Sequence, residues 1–343
     1  MAFSHNVSII VVTLLVFGVW TCIVVSQASN EETMLQRHER WMARYERVYK
    51  DDLEKQTRFK IFKNNVEYIE AFNNAGNQAN YKLSVNAFAD QSNQEFKATR
   101  NGFKLPSTSR SGQTTPFRYE NLTMVPSSID WRKRGVVTPI KNQGQCGSCW
   151  AFSTIAAVEG VTAINTGKLI SLSEQELIDC DTSDEDQGCE GGYMNSGFDF
   201  IVKNKGINTE DAYPYKESDS TCNITKTTIV AAKITGHENV PANDESALMK
   251  AVAMQPVSVA IDDTDFDFRF YESGVYNGTC GTNLKHAVTV VGYGTSDDGI
   301  KYWLVKNSWG VGWGEEGYIR MQRDVEAKEG LCGIAMKASY PTA

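Results

Sequence analysis

The 343-residue chain is long enough for two substantial cores, and 41% apolar with 10% aromatic residues mark it as globular rather than disordered. A formal net charge of −8 excludes nucleic acid as an obligate partner, because phosphate recognition needs a basic surface. The charge is uneven, +3 over residues 1–124 and −11 over residues 125–343.

Val7 to Val25 is an almost continuous apolar run that ends at Ser26-Gln27-Ala28, small residues spaced as signal peptidase prefers. A run of about 20 apolar residues is also long enough to span a bilayer, and no Lys or Arg precedes it. The expected reading is a signal peptide over residues 1–28, with no stable membrane association afterwards. Cys22 falls inside it. Seven cysteines then remain: Cys146, Cys149, Cys180, Cys189, Cys222, Cys280 and Cys332. An odd number in an oxidising compartment suggests three bridges and one free thiol.

Residues 31–100 are charged and helical in pattern. Glu54, Arg58, Phe62, Asn65, Ile69 and Asn73 are spaced 4, 4, 3, 4 and 4 apart. At about 100° per residue they share one face, which predicts a helix that engages a second element through specific hydrogen bonds. Glu54 and Arg58 form a favourable i, i+4 pair. Asn80 to Asp90 follows, with Tyr81, Leu83, Val85 and Phe88 predicting a short strand. Thr99–Thr115 is rich in Ser, Thr, Gly, Pro and basic residues and reads as an exposed linker, extending with its flank to residue 124. A proteolytic site is expected between it and Val125, and Asn121-Leu122-Thr123 is a glycosylation sequon.

After Pro126 the texture changes. A helical region follows Cys149, and a second helix is expected to open at Ser173, with Glu176 completing a capping-box pattern. Strand patterns dominate from about Val230: Val257–Ile261, His286–Gly294 and Lys301–Lys306. A helix-rich half followed by a strand-rich half predicts an α+β protein with a cleft between two lobes.

The most informative segment is Gln143-Gly144-Gln145-Cys146-Gly147-Ser148-Cys149-Trp150-Ala151-Phe152-Ser153. Trp150 to Gly160 suits a buried helix. Cys149 then sits at a helix N-terminus, where unpaired N–H groups and the helix dipole favour a thiolate. Cys146 is the better disulfide candidate. A redox pair would call for a surrounding βαβ pattern, and a zinc site for a second ligand pair; neither is evident.

A thiolate in acyl transfer needs an imidazole to protonate the leaving amine. Of four histidines, His5 lies in the signal segment and His38 in the N-terminal third, which leaves His237 in a polar turn and His286 at the head of a strand. His286 is the expected base. Asn307, in Lys306-Asn307-Ser308-Trp309-Gly310, can accept from the imidazole, with Trp309 shielding that bond from water. Gln143, through its side-chain amide, and the Cys149 backbone N–H are the expected oxyanion donors.

These segments, in this order and with separations of 137 residues from Cys149 to His286 and 158 to Asn307, resemble the papain family of cysteine proteases over nearly the whole chain after the signal. The Glu54–Asn73 stripe and Asn86, Phe88 and Asp90 are similar to the propeptide motifs of its cathepsin-L-like branch, with Ser84 where Gly is usual. Cys332-Gly333-Ile334-Ala335-Met336-Lys337-Ala338-Ser339-Tyr340-Pro341 is most similar to plant vacuolar cysteine proteases associated with leaf senescence. The resemblance implies a papain-like two-lobed fold, with a helical lobe over about residues 125–230 and a β-barrel-like lobe over about 231–343, the chain ends crossing between them. A helical inhibitory propeptide over residues 29–124 would precede it, the mature enzyme beginning near Val125 or Pro126.

The same resemblance implies disulfides Cys146–Cys189, Cys180–Cys222 and Cys280–Cys332, leaving Cys149 free. It implies that Gly147, Gly191, Gly192 and Trp309 contact substrate, with Glu190 where the family often has Asn. Tyr193, Met194, Ala260, Leu284 and Lys337 would line the pocket for the side chain two residues before the scissile bond. That pocket should favour Leu, Val or Phe, and Lys337 at its base should disfavour Arg. The expected activity is general protein degradation by an endopeptidase made as a zymogen, in an acidic compartment and linked to senescence. No cofactor or metal is expected.

Partners would be protein and peptide substrates, the chain's own propeptide and cystatin-like inhibitors, with the enzyme a monomer. The vacuole is the expected destination, the extracellular space the alternative. Acid is expected to protonate interface carboxylates and loosen the propeptide. Asn223-Ile224-Thr225 and Asn277-Gly278-Thr279 are further sequons. An inactive homologue that only binds, or a free-standing inhibitor built from residues 31–124, are the rival readings; the complete set of catalytic residue types argues against both.

Overall fold

The computed structural model describes residues 34–76, 79–105, 117–182 and 186–343. The expected signal peptide lies outside them. Two compact units divide the chain: residues up to Glu70 together with Ala89–Gln91, and Ala71–Phe88 together with Ser92–Ala343.

The first unit is built on helix α1, residues 34–44, and most of helix α2, Asp52–Asn74. Phe62 is buried against His38 and Trp41, with ring centroids at 4.9 and 5.3 Å. The polar members of the stripe bond to backbone as expected. Asn65 donates to the carbonyls of Ala89 at 2.8 Å and Gln91 at 3.1 Å, and Arg58 to that of Asp90 at 3.1 Å. Glu54 and Arg58 lie 3.8 Å apart.

In the second unit, Asn73 continues the same logic. Its amide donates to Leu83 O at 2.8 Å and accepts from Leu83 N at 3.1 Å, imitating a neighbouring strand. That fixes β1, Tyr81–Leu83, which pairs antiparallel with β5, Tyr271–Tyr276. Helix α3, Asn93–Arg100, opens with a full capping box between Ser92 and Glu95, worth about 1 kcal/mol.

The remaining elements are β2 (Ile129–Asp130), α4 (Cys149–Thr166), α5 (Glu174–Cys180), α6 (Met194–Lys203), α7 (Ile224–Thr227), β3 (Gly236–Asn239), α8 (Glu245–Met254), β4 (Val257–Ile261), α9 (Phe266–Phe270), β6 (His286–Thr295), β7 (Lys301–Lys306), β8 (Tyr318–Gln322) and β9 (Ala338–Thr342). The sheet order is β1-β5-β8-β7-β6-β4-β9-β3, with β2 on β6. The helix-rich and strand-rich halves are those expected. Ile129 pairs with Tyr293, so the chain just after Pro126 crosses to the strand-rich half.

Helix α4 is buried on nearly every side; Trp150, Ile155 and Val158 share one core with Leu177, Phe198 and Ile207. Helix α5 opens at Ser173, whose hydroxyl accepts from Glu176 N at 3.0 Å. The other half of the expected capping box does not form: the Glu176 carboxylate bonds instead to Asn208 N and Asn204. Cys146–Cys189, Cys180–Cys222 and Cys280–Cys332 are bonded, and Cys149 is free. No helix among the described residues is long and apolar enough to cross a membrane.

Candidate active site

Cys149 is the first residue of α4, after Ser148, which makes no side-chain cap. The turn before it is held by the Cys146–Cys189 bridge and by Gly147 N donating to Cys189 O at 2.9 Å. With no cap taking the helix's free N–H groups, the thiol faces the backbone of Ala287, Gly102 and Trp150, which favours its charged form. Ala287 is the neighbour of His286, which heads β6 opposite Ile261. Cys149, the nucleophile candidate from the helix-rich half, therefore faces the backbone next to His286, the base candidate from the strand-rich half.

His286 Nε2 donates to Asn307 Oδ1 at 2.8 Å. An amide oxygen only accepts, so the neutral ring carries its proton on Nε2. Nδ1, which is buried without a partner, is left as the bare basic nitrogen. Trp309 stacks over the ring at 4.7 Å and 27°. Gln143 is fully buried, and its oxygen accepts from the Ser308 hydroxyl at 2.7 Å. That bond turns Nε2 towards Cys146 O at 2.9 Å and Arg100 O at 3.1 Å.

The electrostatics differ from the expected thiolate. Burial pushes the Cys149 thiol up to about 12 and His286 down to about 4, with the Arg100 guanidinium adding to the latter. Both groups are neutral in this state. The reason is exclusion of water: desolvation penalises the charged forms more than the backbone N–H bonds favour them.

What excludes the water is the stretch read from sequence as linker. Thr99 and Arg100 end α3, and Gly102 and Phe103 are buried, so the linker assignment fails over 99–105. Residues 106–116 lie outside the described ones, and 117–124 are exposed or half-buried. Phe103 N donates to Lys285 O at 3.0 Å, Gly192 N to Gly102 O at 2.8 Å and Lys104 N to Gly192 O at 2.9 Å. Phe103 and Gly192 form a parallel bridge. A Cβ on Gly102 would stand 1.7 Å from Gly147 O, so only glycine passes over the turn that precedes Cys149. A Cβ on Gly192 would stand 2.7 Å from the Trp150 ring.

The Phe103 ring packs in one cluster with Met194, Ala260 and Leu284, edge-on to Tyr193 at 5.8 Å. Gly191 lies beneath the same segment, its Cβ position 2.7 Å from Gly102 O. Lys337 is the exception among the expected pocket residues. Its side chain is exposed, and only its carbonyl, accepting from Ala260 N at 3.0 Å, touches the pocket wall, so it is no enclosed base. Gly102 and Phe103 are the functional residues sequence reasoning missed. Their only signal is a glycine-aromatic pair directly after a helical run.

The papain family cysteine protease model matches residues 125–342, and the cathepsin propeptide inhibitor domain model residues 38–96. The chain belongs to the papain family. It is a cysteine protease made with its inhibitory propeptide, a zymogen. It is 54% identical over 340 residues to the senescence-specific cysteine protease SAG39 of Oryza sativa subsp. indica, covering 96% of this chain and 98% of that protein. To the senescence-specific cysteine protease SAG12 of Arabidopsis thaliana it is 57% identical, covering 91% of each. Among solved structures, the recombinant stem bromelain precursor has TM-score 0.84 at 48% identity, covering 90% of this chain and 99% of that one.

Of the three sequons in this papain-family zymogen, Asn121 is exposed. The Asn223 side chain caps α7 by accepting from Lys226 N at 3.2 Å, and Asn277 accepts from Asn80 N at 3.4 Å. His237, the rejected base, stacks on Phe198 and faces Asp199 at 3.4 Å.

Proposed function

We propose that Cys149 is the nucleophile, His286 its acid–base partner, Asn307 the orienting acceptor, and Gln143 with the Cys149 backbone N–H the oxyanion donors. The observation that carries the reading is the 2.8 Å bond from His286 Nε2 to Asn307, which leaves Nδ1 bare, while the backbone of the next residue, Ala287, faces the thiol. With residues 100–104 displaced, water returns and the thiol proton passes to Nδ1. The thiolate attacks the substrate carbonyl, whose oxygen takes the place Arg100 O now holds against Gln143. His286 then protonates the leaving amine, and water releases the acyl group from sulfur.

Phe103 supports an apolar preference two residues before the scissile bond, in the pocket of Tyr193, Met194, Ala260 and Leu284. Gly147, Gly191, Gly192 and Trp309 complete the substrate track. The boundaries proposed are signal peptide 1–28, propeptide 29–124 and peptidase 125–343. Glycans are proposed at Asn121, Asn223 and Asn277. A vacuolar, senescence-linked role is proposed on the likeness to the senescence-specific relatives, together with a monomeric state and susceptibility to cystatin-like inhibitors.

The test is Cys149→Ser in the full-length precursor, acidified and assayed on a Leu-containing coumarylamide. Hydrolysis should fall about a thousandfold or more with the fold retained by circular dichroism. Activity within a few fold of the unaltered chain would end the assignment.

A further inference from the structure

Beside Cys149 lies a charged group for which the reaction above has no use. Asp263, just past β4, is 2% exposed, and neither of its carboxylate oxygens has a hydrogen-bond partner. Its charge acts on the Cys149 thiol. The groups facing it are its own backbone N–H, the Asn101 side chain, the Lys97 ammonium and the Asp262 carboxylate. Burying an unpaired carboxylate is costly, and the fold gains nothing visible in return. The neighbouring Asp262 is the one that holds the loop, accepting from Thr264 N, Thr264 Oγ1 and Asn283 N.

The covering segment measures where Asp263 stands. Phe103 fills the pocket for the side chain two residues before the scissile bond, and the Gly102 backbone faces the thiol from over Gly147. Asn101 is one residue further from that pocket, and it is Asn101 that Asp263 faces. The carboxylate therefore lies on the leaving-group side, a placement that rests on Cys149 being the nucleophile.

We propose that Asp263 lines the subsite for the side chain immediately after the scissile bond and selects lysine or arginine there. Both cations bring the donors and the charge that the carboxylate lacks, and an acidic side chain would meet a like charge. The propeptide presents the amide of Asn101 and the Lys97 ammonium at this point, and neither bonds to the carboxylate oxygens, so the group stays held up to about 7 by burial.

The activated enzyme is tested on internally quenched peptides with Leu two residues before the scissile bond, differing only in the next residue after it: Lys, Arg, Gln, Leu or Glu. The expected kcat/KM ratio of Lys to Glu is about tenfold or more, falling towards one in Asp263→Asn and inverting in Asp263→Lys. Each ratio is taken within one enzyme sample, so a uniform loss of activity in a variant cancels, and the unaltered enzyme alone decides the first result. A ratio of one or less, a ratio that survives Asp263→Asn, or Gln matching Lys would overturn the proposal. A Leu coumarylamide has no residue after the scissile bond. If the unaltered enzyme fails to release coumarin, the Cys149 assignment falls; coumarin release with a flat peptide ratio defeats Asp263 alone.

Discussion

On one side of Cys149 the covering segment buries Phe103 among Met194, Ala260 and Leu284; on the other it sets Asn101 and Lys97 against Asp263. The first contact is complementary, apolar on apolar, with Gly102 O and Lys104 N both bonding to Gly192. The second leaves a carboxylate without a hydrogen bond. One stretch of chain thus inhibits by a good fit at one end and tolerates a poor one at the other. The capped state is therefore held mainly through Phe103, with Asp263 acting against it.

The largest break in that contrast is Phe103→Ala in the full-length precursor. Removing a buried phenyl ring costs about 3–5 kcal/mol, so opening of the cap should rise about a hundredfold or more. The measurement is the rate of Cys149 alkylation by iodoacetamide at neutral pH, since the thiol is fully buried while capped. An unchanged rate would mean that the pocket contact contributes nothing to closure.

Asp263→Asn probes the opposite end, and its sign follows from linkage. The capped carboxyl is raised to about 7 by burial, above the ordinary range near 4, so the capped state binds that proton more tightly. Its contribution to closure is complete below the ordinary value and is lost as pH rises through about 7. Acid therefore favours closure at this group, the reverse of the loosening expected from sequence. The dyad does not supply the trigger either: a proton passing from sulfur to imidazole on opening changes no net proton count. Relative to the unaltered precursor, Asp263→Asn should slow alkylation about tenfold at pH 8 and progressively less towards pH 5. A difference that grows as pH falls would reverse the assignment of this group.

The parts legible from sequence are those in which one residue type does one local job. Cys149 opens a helix because Gly147 and Ser148 precede an apolar run, and the α2 stripe was readable because Asn65 and Asn73 interrupt its apolar face at helical spacing. Residues 99–105 were not legible. Their conformation is imposed by a cleft formed by Gly192, Lys285 and Met194, far along the chain, while the Ser-, Thr- and Gly-rich stretch up to Thr115 that they open imitates a linker. The neutral dyad was hidden for the same reason: motif residues specify geometry, but the charge state depends on whether Gly102 and Phe103 keep water out. Asp263 after a strand reads as an ordinary turn residue until its surroundings are known. Glu176 supplied the cap signature and then spent its carboxylate on Asn204 and Asn208.

Lys337 sharpens the pocket side of the comparison, with the smallest effect. Its carbonyl is tied to Ala260 N, which sets its backbone beside the apolar pocket, but its ammonium stands in solvent. Repulsion from a charge in water is screened over about 8 Å at physiological salt, and exposed pairs are typically worth under about 1 kcal/mol. In the activated enzyme, Lys337→Ala should therefore raise the ratio of Arg-containing to Leu-containing substrates, varied two residues before the scissile bond, by only about two- to threefold. Raising ionic strength should erase most of that gain, because an exposed charge acts through the solvent. A change of about tenfold or more, insensitive to salt, would mean that the ammonium folds into the pocket once Phe103 leaves; that side of Cys149 would then carry a buried charge as well, and the contrast between the two sides would disappear.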